Sequence, residues 1–278
     1  EAYSSDQVKF VVQTGGTMQW NNDLITGDTI QRYVIQNQTI ELVDKQRLAN
    51  MGEAETLAEF LEWGVVNYPA EKMGVVFWNH GGGSISGVCF DEVYGWDSLT
   101  LTEIEEAFTT VYPYMTDQFE FVGFDACLMA SIEVANILAP HARYMYASEE
   151  LEPGYGWDYR AIGDFLAYNP SVDGAELGVA VVDSYYDSYI YDGMETEVTL
   201  SCIDLSKIDD LMMAFHEVAQ YIYDTSDNTR FLSRTVRGFR SAESYGGNNQ
   251  AEGYTNMVDL GSILLNLSGH VEGTQEVL

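Results

Sequence analysis

A short apolar run that gives way to a helical pattern is the feature that most constrains the fold. Residues 119–124 are mostly apolar and short enough to form one buried strand. The segment Asp125-Ala126-Cys127 comes next, and apolar residues then recur at helical spacing up to Pro140. A strand that leads into a helix is the unit of an α/β sheet, whose ligands bind at the carboxyl ends of the strands. We therefore expect the Cys127 thiol at that edge, with a pKa lowered by the start of the helix.

A second stretch has the same design. Residues 73–78 predict another apolar strand, and Asn79, His80 and three consecutive glycines follow it. Glycine lets one backbone approach another closely, because it has no Cβ atom. If the two strands are parallel neighbours, His80 and Cys127 lie at the same edge of the sheet, where a base and a thiol form a catalytic dyad. We interpret the other cysteines and histidines as structural or solvated, since they lie in apolar strands or near helices: Cys89, Cys202, His141, His216 and His270.

The rest of the pattern indicates the fold class. Strand and helix patterns alternate up to about residue 150, which predicts an α/β fold with mostly parallel strands and helices on both faces of the sheet. Residues 30–35 and 39–43 predict a hairpin. A helix over residues 102–112 should be capped by Thr102, with Glu105 completing a capping box. The patterns after residue 204 are mainly helical.

Composition excludes several classes of protein. The 44 acidic residues face only 12 Lys and Arg, which gives a net charge of −32. Such a charge disfavours binding to nucleic acids and to anionic membranes, and favours basic substrates. No apolar run is long enough to span a membrane, and three scattered cysteines are too few for a disulfide framework or a zinc site. The chain shows no signal peptide and begins at Glu1, so we expect a processed or truncated form.

The two junctions together resemble a known family. Asn79-His80-Gly81-Gly82-Gly83 after one strand, and Gly123-Phe124-Asp125-Ala126-Cys127-Leu128 after another, are similar to the clostripain family of bacterial cysteine peptidases. The histidine precedes the cysteine by roughly 50 residues, as it does in caspases. The family shares a caspase-like fold with gingipains, legumains and separases. Residues 148–157 and 257–261 also resemble segments of this family, so the resemblance covers most of the chain from Val8 onward.

The resemblance implies a cysteine endopeptidase that cleaves after Arg or Lys. In that case Cys127 is the nucleophile, His80 is the general base or acid, and the backbone N–H groups of Gly81 and Cys127 form the oxyanion hole. Asp125 matches the aspartate that binds the basic side chain of the substrate in this family. It is equally well placed to cap the following helix.

An acidic loop after the next strand adds candidate binding residues. Residues 149–158 are rich in acids, glycines and aromatics and lie just beyond the strand predicted at residues 143–148. Three of their carboxylates could contribute to the same pocket, although an acidic loop is usually just solvated: Glu149, Glu152 and Asp158.

The resemblance also sets the expected domains and surroundings. Residues 1–204 should form the caspase-like catalytic core, and residues 205–278 a mainly helical region packed on it. The family has a further strand and helix before the segment that matches Val8, and this chain lacks them. The resemblance implies a secreted or cell-surface bacterial protein. No cofactor is expected to be required. Calcium, which clostripain uses, stays open because carboxylates are abundant but no EF-hand pattern is present.

Two alternative functions remain open from the sequence. The His80-Gly81-Gly82-Gly83 segment resembles the oxyanion loop of an esterase, but that enzyme class needs a later G-x-S-x-G elbow, which this sequence lacks. A catalytically inactive relative that binds peptides or glycans is the other alternative, and the intact His80 and Cys127 weigh against it. The sequence does not determine the oligomeric state.

Overall fold

The computed structural model describes residues 7–36, 39–194, 196–249, 253–255 and 257–278. They belong to two compact units, residues 1–205 and residues 206–278. In chain order the first unit contains β1 (Phe10–Thr14), β2 (Thr29–Gln36), β3 (Thr39–Arg47), α1 (Ala54–Asn67), β4 (Gly74–Trp78), α2 (Gly83–Ser86), β5 (Val88–Asp91), β6 (Asp97–Leu99), α3 (Leu101–Val111), β7 (Phe119–Asp125), α4 (Ile132–Leu138), β8 (Ala142–Ala147), α5 (Tyr159–Tyr168), α6 (Gly174–Asp192) and β9 (Ser201–Asp204).

A four-stranded sheet with the order β4-β7-β8-β9 is the centre of the first unit. Strand β7 runs parallel to both β4 and β8, whereas β9 is antiparallel to β8. Because β7 has a neighbour on each side and is covered by side chains, its Val122 and Phe124 are completely buried. This burial explains why its sequence is almost continuously apolar. The predicted α/β class with a mostly parallel sheet is confirmed.

Aromatic side chains connect this sheet to the helices. Phe77 of β4 stacks on Phe124 of β7 with ring centroids 5.1 Å apart, and Phe108 of α3 packs against Phe77. A separate apolar cluster joins β8 to α5 and α6 and contains the buried Tyr146 and Trp157. The strands that carry the candidate residues are therefore held by buried packing, which gives their carboxyl ends fixed positions.

The helix predicted over residues 102–112 spans Leu101–Val111, and its N-cap lies two residues earlier than expected. Thr100 caps α3, and Glu103 completes the capping box with the Thr100 backbone. The expected cap at Thr102 is wrong, because the sequence contains two overlapping Thr-x-x-Glu patterns and the first lies directly after β6. The helical face was predicted correctly, since Ile104, Phe108 and Val111 are buried.

An antiparallel sheet with the order β1-β2-β3 precedes the parallel strands. The predicted hairpin is present in it: β2 and β3 are antiparallel, and Ile35 pairs with Ile40. A small antiparallel pair of β5 and β6 follows β4. The β2–β3 hairpin is local in sequence, which is why its alternating pattern and short connection were sufficient to predict it.

The second unit is mainly helical. A buried apolar cluster that includes Leu264, Leu267 and Val218 forms its core. No helix in the described ranges is both long enough and apolar enough to cross a membrane. The elements of this unit are α7 (Ile208–Thr225), α8 (Thr229–Arg240), β10 (Ser244–Tyr245), β11 (Asn248–Asn249), β12 (Gly253–Tyr254), β13 (Met257–Val258), α9 (Leu260–Leu267) and α10 (Thr274–Val277).

Candidate active site

The register of two parallel strands places the candidate base and nucleophile at one edge of the sheet. The last paired residues of β4 and β7 are Trp78 and Asp125. His80 and Cys127 each follow two residues beyond this pair. Since β4 and β7 are direct neighbours, both residues emerge at the carboxyl edge of the sheet, the position at which α/β folds bind ligands.

The backbone around His80 is fixed, while its side chain is exposed. The side chain oxygen of Asn79 accepts hydrogen bonds from the backbone N–H groups of His80 (2.5 Å) and Phe90 (3.2 Å). The His80 carbonyl accepts a further bond from Cys89 N (3.0 Å). These bonds tie the end of β4 to β5, so the imidazole projects from an anchored backbone into solvent.

Gly81 lies against the backbone of the candidate nucleophile. A Cβ atom at this position would overlap the carbonyl oxygen of Cys127, and a second contact would form with Ala126. The two backbones can be this close only because residue 81 has no side chain. Contact with the loop after β7 thus explains why the first residue of the glycine run is a glycine.

We expect Gly81→Ala to lower activity at least about tenfold, because small displacements of reacting groups cost up to about 100-fold in rate. Gly154→Ala is the matched control, since open space surrounds Gly154 and its φ is not positive. Peptidase rates and thermal unfolding of both variants should be measured. A Gly81→Ala variant with the rate of wild type would show that the close approach is not needed.

Cys127 is half-buried and is held by one residue of the acidic loop. The backbone N–H of Glu152 donates to the Cys127 sulfur (3.2 Å), and the Glu152 carbonyl lies 3.8 Å from the same sulfur as an acceptor. Burial raises the pKa of the thiol, and the charge of Glu152 raises it further. The backbone groups of Glu152, Cys127 and Gly81 oppose the increase.

The expectation that a helix start lowers the thiol pKa is wrong. Helix α4 begins only at Ile132, and Ser131 caps it by accepting a hydrogen bond from Val134 N. Cys127 is therefore separated from the helix terminus by a loop, beyond the first turn in which the helix dipole acts. The same geometry shows that Asp125 does not cap α4.

The loop after Cys127 is paired with the loop after β8. Leu128 N donates to Glu150 O (3.2 Å), and Ala130 N donates to Ser148 O (2.9 Å). Leu128 has a positive φ of 64°, which is unfavourable for a residue with a side chain. Its burial and these two bonds stabilise the sharp turn that exposes Cys127 towards Glu152.

Asp125 is buried and accepts hydrogen bonds through a single oxygen. Its Oδ2 atom receives bonds from Trp157 N (3.2 Å) and from the Tyr159 hydroxyl (2.8 Å). Gly156 has a positive φ, and a Cβ atom there would lie 2.7 Å from Asp125 Oδ1, so this part of the loop also packs on the carboxylate. Burial raises the pKa of Asp125, and the two donors partly offset that increase.

The Glu152 carboxyl group lies beside Asp125 and lacks comparable donors. Both of its oxygens are buried, and no described residue forms a hydrogen bond to either. Burial first, and then the charge of Asp125, raise the pKa of Glu152 to about 9. Trp157 and the Ala126 backbone oppose this increase, although neither forms a hydrogen bond to the Glu152 oxygens.

The remaining acids of the loop occupy different environments. Glu149 is half-buried in the turn after β8. Asp158 caps α5, because its Oδ1 atom accepts bonds from Arg160 N (3.1 Å) and Ala161 N (2.9 Å). Of the four predicted binding carboxylates, the structure brings two together next to Cys127. We call Asp125 and Glu152 the acidic pair.

Residues that the sequence did not indicate complete this environment. The Tyr185 hydroxyl and Trp157 Nε1 are buried, and neither has a hydrogen-bond partner among the described residues. Burial raises the pKa of Tyr185, and so do the charges of Glu152 and Asp125. Tyr159 and Trp157 lie in or next to the acidic loop, so their position in the sequence could have indicated that they belong to the site. Tyr185 lies on α6, and no local pattern connects it with the site.

The other two thiols have no comparable setting. Burial raises the pKa of Cys89 to about 12 and also raises the pKa of Cys202. Within the described ranges, no group of three or more His, Cys, Asp or Glu side chains is arranged to hold a metal ion. No catalytic step is assigned to calcium.

Comparisons with known proteins match the sequence and the fold. A model of the clostripain family matches residues 3–277. Clostripain from Hathewaya histolytica is 27% identical over 223 residues, which are 68% of this chain and 42% of that protein. The chain thus spans less than half of that relative.

Two solved structures share the fold. One is a secreted cysteine protease from Bacteroides thetaiotaomicron in complex with an irreversible peptide inhibitor, with a TM-score of 0.57, 24% identity, and coverage of 70% of this chain and 57% of that one. The other is an inactive zymogen protease from Parabacteroides distasonis, with a TM-score of 0.64, 18% identity, and coverage of 91% and 67%. At these identities the similarity is one of fold.

Proposed function

Because the chain belongs to the clostripain family, we propose that it is a cysteine endopeptidase that cleaves peptide bonds after Arg or Lys. The observation that carries this proposal is the acidic pair, which lies buried beside Cys127 just beyond the carboxyl end of β7. Buried carboxylates without a cationic partner favour a guanidinium or ammonium group from the substrate.

The proposed reaction proceeds through a thioester. His80 accepts the proton of Cys127, and the sulfur attacks the carbonyl carbon of the scissile peptide bond. The backbone N–H groups of Gly81 and Cys127 stabilise the negative charge on the carbonyl oxygen. His80 then gives its proton to the leaving amine. In the second half, His80 takes a proton from water and the hydroxide attacks the thioester. The acid product leaves, and His80 returns its proton to the Cys127 sulfur, which regenerates the thiol.

The half-buried thiol is compatible with this sequence of steps. Since burial raises the Cys127 pKa, the thiol is mainly protonated in the free protein near neutral pH. A base is therefore needed to form the nucleophile. His80 projects from the neighbouring strand end, so a bound peptide that lies along the carboxyl edge of the sheet contacts both residues.

We expect Asp125→Asn to lose hydrolysis of Arg- and Lys-ending fluorogenic peptides far more than it loses alkylation of Cys127 by iodoacetamide. The substitution removes the charge that pairs with the substrate cation and leaves the nucleophile in place. Glu150→Gln is the control, because its carboxylate bonds to the adjacent Leu151 N outside the acidic pair. Equal loss of both reactions would instead assign Asp125 a structural role, and a preference for Asp- or Ala-ending peptides would refute the basic specificity.

The proposed setting is a secreted or cell-surface protein of a bacterium, acting on proteins or peptides that contain Arg or Lys. The secreted relative from Bacteroides thetaiotaomicron supports this location, and the net charge of −32 favours encounter with basic substrates. Fractionation of the native cells with an antibody against the chain tests it. Detection in the cytosol alone would contradict it.

A further inference from the structure

The acidic pair contains two carboxyl groups whose surroundings differ in kind. Asp125 has two hydrogen-bond donors on one oxygen, and these stabilise its ionised form. Glu152 has no such donor, although both of its oxygens are buried. Two adjacent buried carboxyls do not both ionise readily, because like charges repel strongly where water is excluded. The difference in donors assigns the negative charge to Asp125 and the proton to Glu152.

We propose, building on the basic specificity above, that Glu152 holds a proton while the acidic pair is empty and that the cationic side chain of a substrate binds by displacing it. The protonated Glu152 carboxyl donates a hydrogen bond to the Asp125 carboxylate. Two ionised carboxylates cannot bond to each other, because both only accept, so protonation is what gives a buried Glu152 oxygen a partner within the pair. A guanidinium or ammonium group replaces that proton with a permanent charge and with new N–H donors for the bare Glu152 oxygens.

Among the described residues, the titratable groups that interact with Glu152 include no cation that would stabilise its ionised form. Asp125 faces it from the end of β7, Cys127 from the following turn, Tyr159 from α5 and Tyr185 from α6. Each of these groups is neutral or negative, and none supplies a positive charge. The pKa of Glu152, raised to about 9 by burial and by Asp125, agrees with this assignment.

The proton on Glu152 affects catalysis, because Glu152 lies next to the Cys127 thiol. The same residue holds the Cys127 sulfur through its backbone N–H, and the charge of its carboxylate raises the thiol pKa. While Glu152 is protonated, the thiolate has one less negative charge beside it. Glu152 ionises only when a substrate cation is present to offset its charge. The acidic pair can therefore bind a cation with two carboxylates, and the charge of Glu152 does not raise the Cys127 pKa while the site is empty.

Access to Glu152 requires a movement that the loop allows. Its oxygens are covered in the empty site, so the carboxyl group or the adjacent loop must shift before a cation reaches them. Open space surrounds Gly154, and Tyr155 is 82% exposed. A movement of Gly154 and Tyr155 would thus break few packed contacts. Pro153 and Gly156 remain anchored by the Tyr189 hydroxyl, which donates to both of their carbonyls.

The test is calorimetric proton counting on Cys127→Ala protein, which cannot turn over substrate or release a thiol proton. The probes are acetyl-Ala-Ala-Arg-amide and its uncharged isostere acetyl-Ala-Ala-citrulline-amide, titrated at about pH 7 in buffers of different ionisation enthalpy. The Arg peptide should release about one proton and bind about tenfold more tightly per pH unit until about pH 9. The citrulline peptide should release none.

Glu152→Gln in the same background should bind the Arg peptide with almost no proton release and with little dependence on pH. Comparison of the two proteins cancels any contribution from His80, which both retain. Glu150→Gln should behave like its parent. Proton release that persists in Glu152→Gln would assign the proton to another group and overturn the proposal. If Glu152→Gln does not fold, the proton count of its parent decides alone.

The outcomes separate this inference from the proposed function. Preferential binding of the Arg peptide without proton release would overturn the role of Glu152 and leave the basic specificity intact. If the Arg peptide binds no better than the citrulline peptide, both the proton displacement and the proposed specificity are wrong.

Discussion

Cys127→Ala protein is expected to have no peptidase activity, because the substitution removes the sulfur that forms the thioester and nothing near it can replace it. The other two thiols are structural in this proposal, and burial raises the pKa of both. Cys202→Ala is the matched control, as it removes a half-buried thiol from β9 and should retain activity. Hydrolysis of Arg- and Lys-ending fluorogenic peptides is the measurement.

Chemical labelling adds a second measurement of the same assignment. Iodoacetamide should label Cys127 faster than Cys89 or Cys202, and the rate should rise with pH because only the thiolate reacts. A Cys127→Ala variant as active as wild type would refute the nucleophile. Wild-type protein that binds Arg peptides without cleaving them would instead indicate an inactive binding protein. Ester hydrolysis that survives Cys127→Ala would support the esterase alternative.

His80→Ala should lower kcat/KM by about 10²–10⁴-fold, which is the usual contribution of a positioned general base or acid. The loss should be largest near neutral pH, where burial keeps the Cys127 thiol protonated, and smaller at alkaline pH, where the thiolate forms without a base. His216→Ala is the control, since this histidine is also exposed and lies on α7 of the second unit.

The pH profile separates a catalytic histidine from a structural one. The acid limb of the kcat profile reports the base in the bound complex, where Glu152 has already released its proton, so that limb should change in His80→Ala while the far-ultraviolet circular dichroism does not. Alkylation of Cys127 at alkaline pH should persist in this variant. Activity equal to wild type near neutral pH would show that another group accepts the thiol proton.

Local sequence patterns were sufficient to predict the positions of the main elements. Strand β7 is apolar because it is buried, and α3 presents Ile104 and Phe108 to the core at helical spacing. The motifs around His80 and Cys127 predicted the family, which the match over residues 3–277 confirms. Periodicity and motif spacing are local properties, so they can be recognised in a sequence without knowledge of the fold.

Element boundaries were less predictable where two signals competed. Thr100 and Thr102 both precede a glutamate by three residues, and the end of β6 at Leu99 selected the first. The helix after Cys127 was also expected too early. Its apolar spacing was correct, but the Leu128 turn and the Ser131 cap delay its start. The thiol therefore lies in a half-buried loop, where desolvation and not the helix dipole dominates its pKa.

The sequence alone determined which residue types were available at the edge of the sheet: a histidine, a thiol and several carboxylates. Only the tertiary structure decided which carboxylates meet, because Asp125 ends β7, Glu152 lies in the loop after β8, and Asp158 is used to cap α5. It also brought Tyr185 from α6 to the same place, although no motif marks that residue. Charge, burial and hydrogen-bond donors around a carboxyl group come from distant parts of the chain. The protonation state of Glu152 is therefore a property of the folded protein and not of its local sequence.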